Sequence, residues 1–417
     1  MSDVFLLASA TTPFGRHPDT THLALARDVV AAVLQDAGLD DGGRVDGVWF
    51  GSCALHAFGQ SNIRGQAVLA PLVREGRLAA SAPIVNVEAG CATGGVALHG
   101  AFTSVASGDS ELALALGVEK TFIPTNPKQM LELFEGGLNQ LEAEQWKQLY
   151  ASLAPECGTT FAPRPDRITI LDVAALNAHW HMKTYGTRPE DLAQVSSKNH
   201  ANGALNPRAH YREPMSPAQV LADKVALMPF TRSMCAPISD GAAAALVCSA
   251  RFLRTLPAAA QARAVKLTAV SLTNGARQRP DAPSVAARAG ERLWKRLGFG
   301  PETVDVAEVH DATAFSELAT LEALGFCAPG KAAAYSASGA TARDGEKPIN
   351  TSGGLESKGH PLAASGLAMV AELHAQLRGE AGPRQVKKPV RTALAHNAGG
   401  LIGFDEAMCA LTVLQQA

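Results

Sequence analysis

Cys91 and three histidines stand in this 417-residue chain where side chains do chemistry. Cys91 lies in Val85-Asn86-Val87-Glu88-Ala89-Gly90-Cys91-Ala92-Thr93-Gly94-Gly95-Val96-Ala97-Leu98, where apolar alternation gives way to small residues and then to helical spacing. The pattern predicts a buried strand turning sharply into a helix, with the thiol at the turn. Free backbone N–H groups and the positive end of the helix macrodipole would stabilise a thiolate there. The same amides would hold a developing oxyanion. A plainer reading competes: cysteine is among the most buried residue types, and Gly94 and Gly95 also suit close helix packing.

The histidines sit at similar places in the C-terminal half. His310-Asp311 follows an apolar run ending at Val309, and His396-Asn397-Ala398-Gly399-Gly400 follows another. Gly359-His360-Pro361 precedes a helical pattern, with proline near its first turn. A single histidine of this kind is usually a packing or capping residue. Three in one half are harder to assign to packing, because ligands and catalytic groups in α/β sheets gather at strand C-termini. Imidazole there can deprotonate a thiol, be held in one tautomer, or donate to a thioester oxygen.

Positioning these groups takes alternating strands and helices. The N-terminal part reads as strand 4–9, helix 21–37, strand 47–53, helix 61–72, the Cys91 turn with a helix to 107, and strand 111–118. From 121 to 232, prolines punctuate helical pieces rich in Trp, His and charge, so this stretch reads as an excursion from the core. The core resumes at Ser239-Asp240-Gly241-Ala242-Ala243-Ala244-Ala245-Leu246-Val247. Strand 265–272, helix 284–297, strand 304–309, helix 314–324, a glycine-rich turn, helix 363–377 and strands 391–395 and 407–414 follow. Both halves therefore carry a strand, a small-residue turn with a reactive side chain, a long helix and further strands, which suggests an internal duplication.

Composition narrows the class. Hydrophobic residues make up 47% and charged residues 18%, with few aromatics, which favours tightly packed helices on sheets over disorder. A formal net charge of -2 without a Lys/Arg-rich block argues against a nucleic-acid surface. The seven cysteines are scattered and form no CxxC pair, so a reduced cytoplasmic protein without a cysteine-based zinc site or other metal is expected. Phe5-Leu6-Leu7-Ala8-Ser9-Ala10 is too short for a signal core and follows Asp3. No apolar run approaches the ~20 residues of a membrane helix.

The Cys91-Ala92-Thr93-Gly94-Gly95 turn, the Ser239–Ala245 stretch and Gly359-His360-Pro361-Leu362-Ala363-Ala364-Ser365-Gly366 resemble the signatures of thiolases, along essentially the whole chain. His310-Asp311 and His396-Asn397 stand where common thiolases carry Asn-Glu-Ala-Phe and Cys-x-Gly motifs, as in the branch associated with sterol carrier protein and in archaeal and aromatic-degradation thiolases. The resemblance implies an α/β fold of two duplicated halves in five layers, αβαβα. Residues 1–120 and 233–260 would form the N-terminal core, 261–417 the C-terminal core, and 121–232 an inserted loop domain covering coenzyme A.

It also implies roles. Cys91 would take an acyl group from a thioester after His360 removes its proton, and the Cys91 amide, with Asn397 and Gly400 in the facing turn, would hold the acyl-enzyme oxygen. His360 and a water near His310 would receive the oxygen of the second thioester. A second cysteine usually shuttles the α-proton. Here its place falls on His396-Asn397 and the other known substitute position is Ala312, so His396 becomes the candidate acid/base, with His310 next. Coenzyme A is a substrate and no cofactor is implied. Within the excursion, His179–Tyr185 and Ser196–His200 read first as a solvated helix with one packed aromatic face; in the other reading Lys183, Lys198 or Arg232 would meet the coenzyme A phosphates.

The resemblance further implies a homodimer or higher homo-oligomer, and an accessory OB-fold and zinc-ribbon protein as some relatives have. A ketosynthase-like condensing enzyme uses the same nucleophile and stays open. Retention of Cys91 and His360 favours acyl transfer over an aldolase.

Overall fold

Local signals place the elements before packing does. Thr21 accepts from the Ala24 N–H and Gly38 closes the same helix in a left-handed turn, so α1 runs His22–Ala37. The computed structural model describes residues 3–417. In chain order the first half holds β1 (Val4–Thr11), α1, β2 (Gly47–Gly51), α2 (Arg64–Arg74), β3 (Ile84–Val87), α3 (Thr93–Ser107) and β4 (Leu112–Glu119). The excursion holds α4 (Pro127–Glu135), α5 (Ala143–Leu153), α6 (Thr169–Tyr185), α7 (Pro189–Ala204), α8 (Pro217–Ala222) and a hairpin of β5 (Val225–Leu227) and β6 (Phe230–Thr231).

β7 (Gly241–Ser249) returns to the first sheet, followed by α9 (Ala250–Leu253) and α10 (Ala258–Arg263). The second half holds β8 (Val265–Asn274), α11 (Val285–Leu297), β9 (Val306–Glu308), α12 (Ala314–Ala323), α13 (Ala332–Ala337), α14 (Gly354–Lys358), α15 (Leu362–Leu377), β10 (Thr392–Gly399) and β11 (Met408–Gln416).

The strand order β3-β2-β4-β7-β1-β8-β11-β10-β9 contains one topology twice. β1, β2, β4 and β7 match β8, β9, β10 and β11 in order, with β2–β4 and β9–β10 parallel and the remaining matched pairs antiparallel. The counterpart of β3 has shrunk to Ile349, which makes one parallel bridge to Ala307. Among the described residues the two half-sheets pair through Phe5↔Lys266 and Leu6↔Val265.

Strand alternation then sorts side chains into layers. Leu112, Leu114 and Leu116 face α1 and α2, whereas Ala113 and Ala115 face a central layer made by α3 and α15. Small residues on that inner face let the central helices approach: a Cβ at Gly94 would stand 2.8 Å from the Ala363 carbonyl oxygen. On the far side, α11 and α12 share a core with Leu394, Leu411 and Val413, and with Ala175, Ala178 and Leu192 of α6 and α7. The five layers expected from the resemblance are present. The excursion packs into the outermost one.

One boundary changes the site. The strand expected to end at Ala395 continues to Gly399, since His396 and Asn397 keep pairing with Leu411 and Ala410. Polarity did not end it, because both faces there are filled by protein. Among the described residues no helix is long and apolar enough to cross a membrane.

Candidate active site

Cys91 lies just before α3, whose cap is Ala92. Thr93 pins the turn, its hydroxyl accepting from Ala89 N–H at 2.9 Å and donating to the Gly90 carbonyl at 2.7 Å. From the second half, Gly399 lies flat on this turn, where any Cβ would collide with the backbone nitrogens of Cys91 and Ala92. The N–H groups of Cys91 and Gly400 both approach the thiol. Two N–H groups converging in this way are the kind of donor pair that can hold an oxyanion.

The thiol does not rest as a thiolate. Burial, then the buried Glu119 carboxylate, push Cys91 up to about 12, against the lowering by those two N–H groups. The expectation of a helix-stabilised thiolate is thereby corrected. A macrodipole is typically worth ~0.3–1 kcal/mol, too little to offset desolvation of a full charge. Cys91 therefore needs a base beside it.

The His360 imidazole stands beside Cys91. Cys91, His310 and His360 each present a donor atom within 4.8 Å of the others. The hydrogen-bond network fixes what each imidazole offers. Ser365 Oγ donates to the Pro361 carbonyl at 2.8 Å, so at 2.7 Å it must accept from His360 Nδ1–H. That leaves His360 Nε2 as a lone pair, buried and unpartnered. Burial and Lys358 lower His360 to about 4, so the ring is neutral near pH 7.

His310 has the opposite tautomer. Asn397 Oδ1 accepts from Gly95 N–H at 3.1 Å, which orients its amide. Its Nδ2 then donates to the Cys91 carbonyl at 2.9 Å and to His310 Nδ1 at 3.4 Å. His310 Nε2 consequently carries the proton, and burial keeps the ring neutral, helped by His360 and His396. It offers an N–H to an oxygen where His360 offers a lone pair to a proton.

Continuation of β10 through His396 puts it on the face opposite Asn397. Asn397 meets α3, while His396 is 1% exposed, accepts from the His310 backbone N–H at 3.3 Å and stands outside the group of three. His396, the expected α-proton shuttle, thus stands behind the His310 backbone, with its Nε2 buried and unpartnered. The Lys198 side chain is 11% exposed and its ammonium is held by Glu317 at 2.8 Å and the Ile349 carbonyl at 2.9 Å. Lys183 binds the Glu156 carbonyl and Arg232 pairs with Asp223, both at exposed positions. None of these three cations lines the Cys91 cavity.

That cavity, about 500 Å³, runs from Cys91 and His310 between α6 and the helices α11 and α12. Ile170, Leu171, Phe315 and Phe404 give it apolar walls.

Sequence reasoning missed Glu119 and Ser365. Glu119 accepts from Cys53 N–H, Ala54 N–H, Ala363 N–H and Ser52 Oγ, joining the Cys91 side to the start of α15. A charged residue ending an apolar strand was the signal, the same one that picked out His310. Asn199 departs from the solvated helical face that its polar neighbours Ser196, Ser197, Lys198 and His200 suggest. It is buried and donates to Asp311 at 3.0 Å and to Glu317 and Glu356 at 3.1 Å.

Comparison with known proteins agrees with this geometry. Residues 4–228 match the model of the thiolase N-terminal domain, and residues 268–411 the thiolase C-terminal domain-like model. The chain is 32% identical over 408 residues to an acetyl-CoA acetyltransferase of Methanothermobacter thermautotrophicus, covering 97% of this chain and 98% of that one. It is 28% identical to the benzoylsuccinyl-CoA thiolase subunit BbsB of Thauera aromatica, covering 95% and 94%. The solved structure of an Ltp2-ChsH2(DUF35) aldolase superposes with a TM-score of 0.75 at 21% identity, covering 99% and 98%. The chain belongs to the thiolase family.

Proposed function

We propose that this thiolase-type acyltransferase passes an acyl group from a coenzyme A thioester to Cys91 and on to a second carbon or sulfur nucleophile, making or cleaving a 3-oxoacyl-coenzyme A. The observation that carries it is the meeting of the Cys91 thiol with a free lone pair on His360 and an N–H on His310. His360 Nε2 takes the thiol proton as sulfur attacks the thioester. The N–H groups of Cys91 and Gly400 hold the oxyanion, and the departing coenzyme A thiolate receives the proton from His360.

In the condensing direction the same Nε2, neutral again, removes the α-proton of the second thioester, whose enolate oxygen is held by His310 N–H. The carbanion attacks the acyl carbonyl, Cys91 leaves as thiolate, and His360 returns the proton to it. One base thus serves both halves of the cycle. Mixing with deuterated water and an acyl-coenzyme A tests this: His396→Ala should keep α-hydrogen exchange and His360→Ala should lose it, and the reverse would return the shuttle to His396.

Lys183 and Arg232, exposed on the excursion, remain the candidates for coenzyme A phosphates. The free edge of β3, with Val85 41% exposed, supports a homodimer paired along that strand, beside the Cys91 turn. The pairing of Ltp2 with ChsH2(DUF35) in the aldolase, and the Thauera relative being a subunit, support an accessory protein, for which the small OB-fold and zinc-ribbon type is our candidate. Seven unpaired cysteines support a cytoplasmic setting. Light scattering and co-purification test the assembly.

A further inference from the structure

The Cys91 cavity contains a carboxyl group that the reaction above does not use. Glu406 lies on the loop between β10 and β11, where the Ala407 N–H donates to the Gly400 carbonyl at 3.3 Å and the Gly400 N–H reaches the Cys91 thiol. Two other carboxyls line the cavity, and both are engaged: Glu322 by His181 at 3.0 Å and Ala332 N–H at 3.0 Å, Asp281 by Arg279 at 3.2 Å.

Glu406 is different. Its neighbour Asp405 takes the local donors, accepting from Ala276 N–H, Val285 N–H and Arg288. Arg277, whose charge also acts on Glu406, donates its hydrogen bonds to the Phe404 and Pro280 carbonyls and to Asn177. Among the described residues no side chain bonds the Glu406 carboxyl. Glu406 is half-buried in the cavity wall; burial and then the Asp405 charge raise it, against its own backbone N–H and the charge of Arg277, so an acyl chain that fills the cavity covers a carboxyl with no side-chain donor.

We propose that Glu406 determines which acyl group the cavity accepts, selecting a mostly apolar acyl chain that bears a hydroxyl at the depth of this carboxyl. The walls supply the apolar part through Ile170, Leu171, Phe315 and Phe404. A hydroxyl donating to Glu406 satisfies the acceptor, whereas a plain hydrocarbon covers it and leaves it unpaired. Sites that hydrogen-bond a substrate hydroxyl reject analogues lacking it far more strongly than apolar pockets reject an added methylene. The inference rests on Cys91 being the acyl acceptor, because that fixes which end of the thioester enters the cavity.

The test uses the full chain with Cys91→Ala, which binds acyl-coenzyme A without turnover. Calorimetry compares a saturated acyl-coenzyme A with a positional series of its monohydroxy derivatives. One position in the series should bind at least ~10-fold tighter than the parent, and Glu406→Leu in the same background should abolish or invert that preference. Glu406→Gln, which keeps an acceptor oxygen and the side-chain shape, should retain the preferred position. Equal binding across the series overturns the proposal, as does a preference that survives Glu406→Leu. Acylation of wild-type Cys91 is scored separately by mass. A preference without acylation sinks the acyl-transfer reading, and acylation with a flat series sinks this one.

Discussion

The two halves share a topology but differ at the strand before the central helix. In the first half β3 runs for four residues and delivers Cys91 at a turn fixed by backbone contacts. In the second, the matching strand is the single bridge at Ile349, and the space beyond it holds α14 and a buried polar network. Glu308 meets Lys358 at 3.2 Å, Glu317 meets Lys198, and the Asn199 amide serves three carboxyls. A nucleophile needs backbone N–H groups placed rigidly around it. An acid/base pair needs its tautomers held, which takes polar neighbours and a means of tolerating their charge.

If that division holds, Cys91→Ala should lower turnover by at least ~10⁴-fold while leaving stability nearly unchanged, since a nucleophile has no substitute nearby. His360→Ala should cost ~10²–10⁴-fold, visible in both acylation and α-hydrogen exchange. Ser365→Ala frees the tautomer without removing the base, so a smaller loss with a changed pH profile is expected. An unchanged profile would detach Ser365 from the site.

The polar network makes a stability prediction. Asn199→Leu should destabilise by ~3 kcal/mol in chemical denaturation, because buried carboxyls lose their shared donor. Within the network Glu356 is raised to about 8, by burial first. Unfolded, it ionises near the usual carboxylate value, so between that value and about 8 the folded state binds more protons. Stability from this group is therefore highest in acid and falls as pH rises through that window. Glu356→Gln should flatten the fall. The smallest effect is Arg232→Ala, whose guanidinium is exposed and whose partner Asp223 keeps the Lys224 and Ser233 N–H groups, expected within ~0.5 kcal/mol on stability.

The fold was legible because its signals were local. Capping at Thr21, alternation in 112–118 and small-residue turns each state their element without help from the rest of the chain. Cys91, His310 and His360 were legible for a related reason, since each ends a strand or begins a helix. The place of His396 was read from a motif, which does not state that period-two alternation continues past Ala395 and sets His396 and Asn397 on opposite faces. The resting state of Cys91 misled because a helix terminus is visible in sequence and burial is not. Asn199 and Glu406 act through distant segments, and nothing near them in sequence marks their partners.

The central claim is that Cys91 alone accepts the acyl group. Its sharpest rival is Cys53, whose thiol lies against the Gly90 carbonyl at 3.1 Å in the same turn. Brief mixing with an acyl-coenzyme A, quenching in acid and peptide mapping by mass spectrometry should find the acyl mass on the peptide carrying Cys91, absent in His360→Ala at the same time point. Label on Cys53 or any other cysteine, or product formed with Cys91 never labelled, would contradict the account.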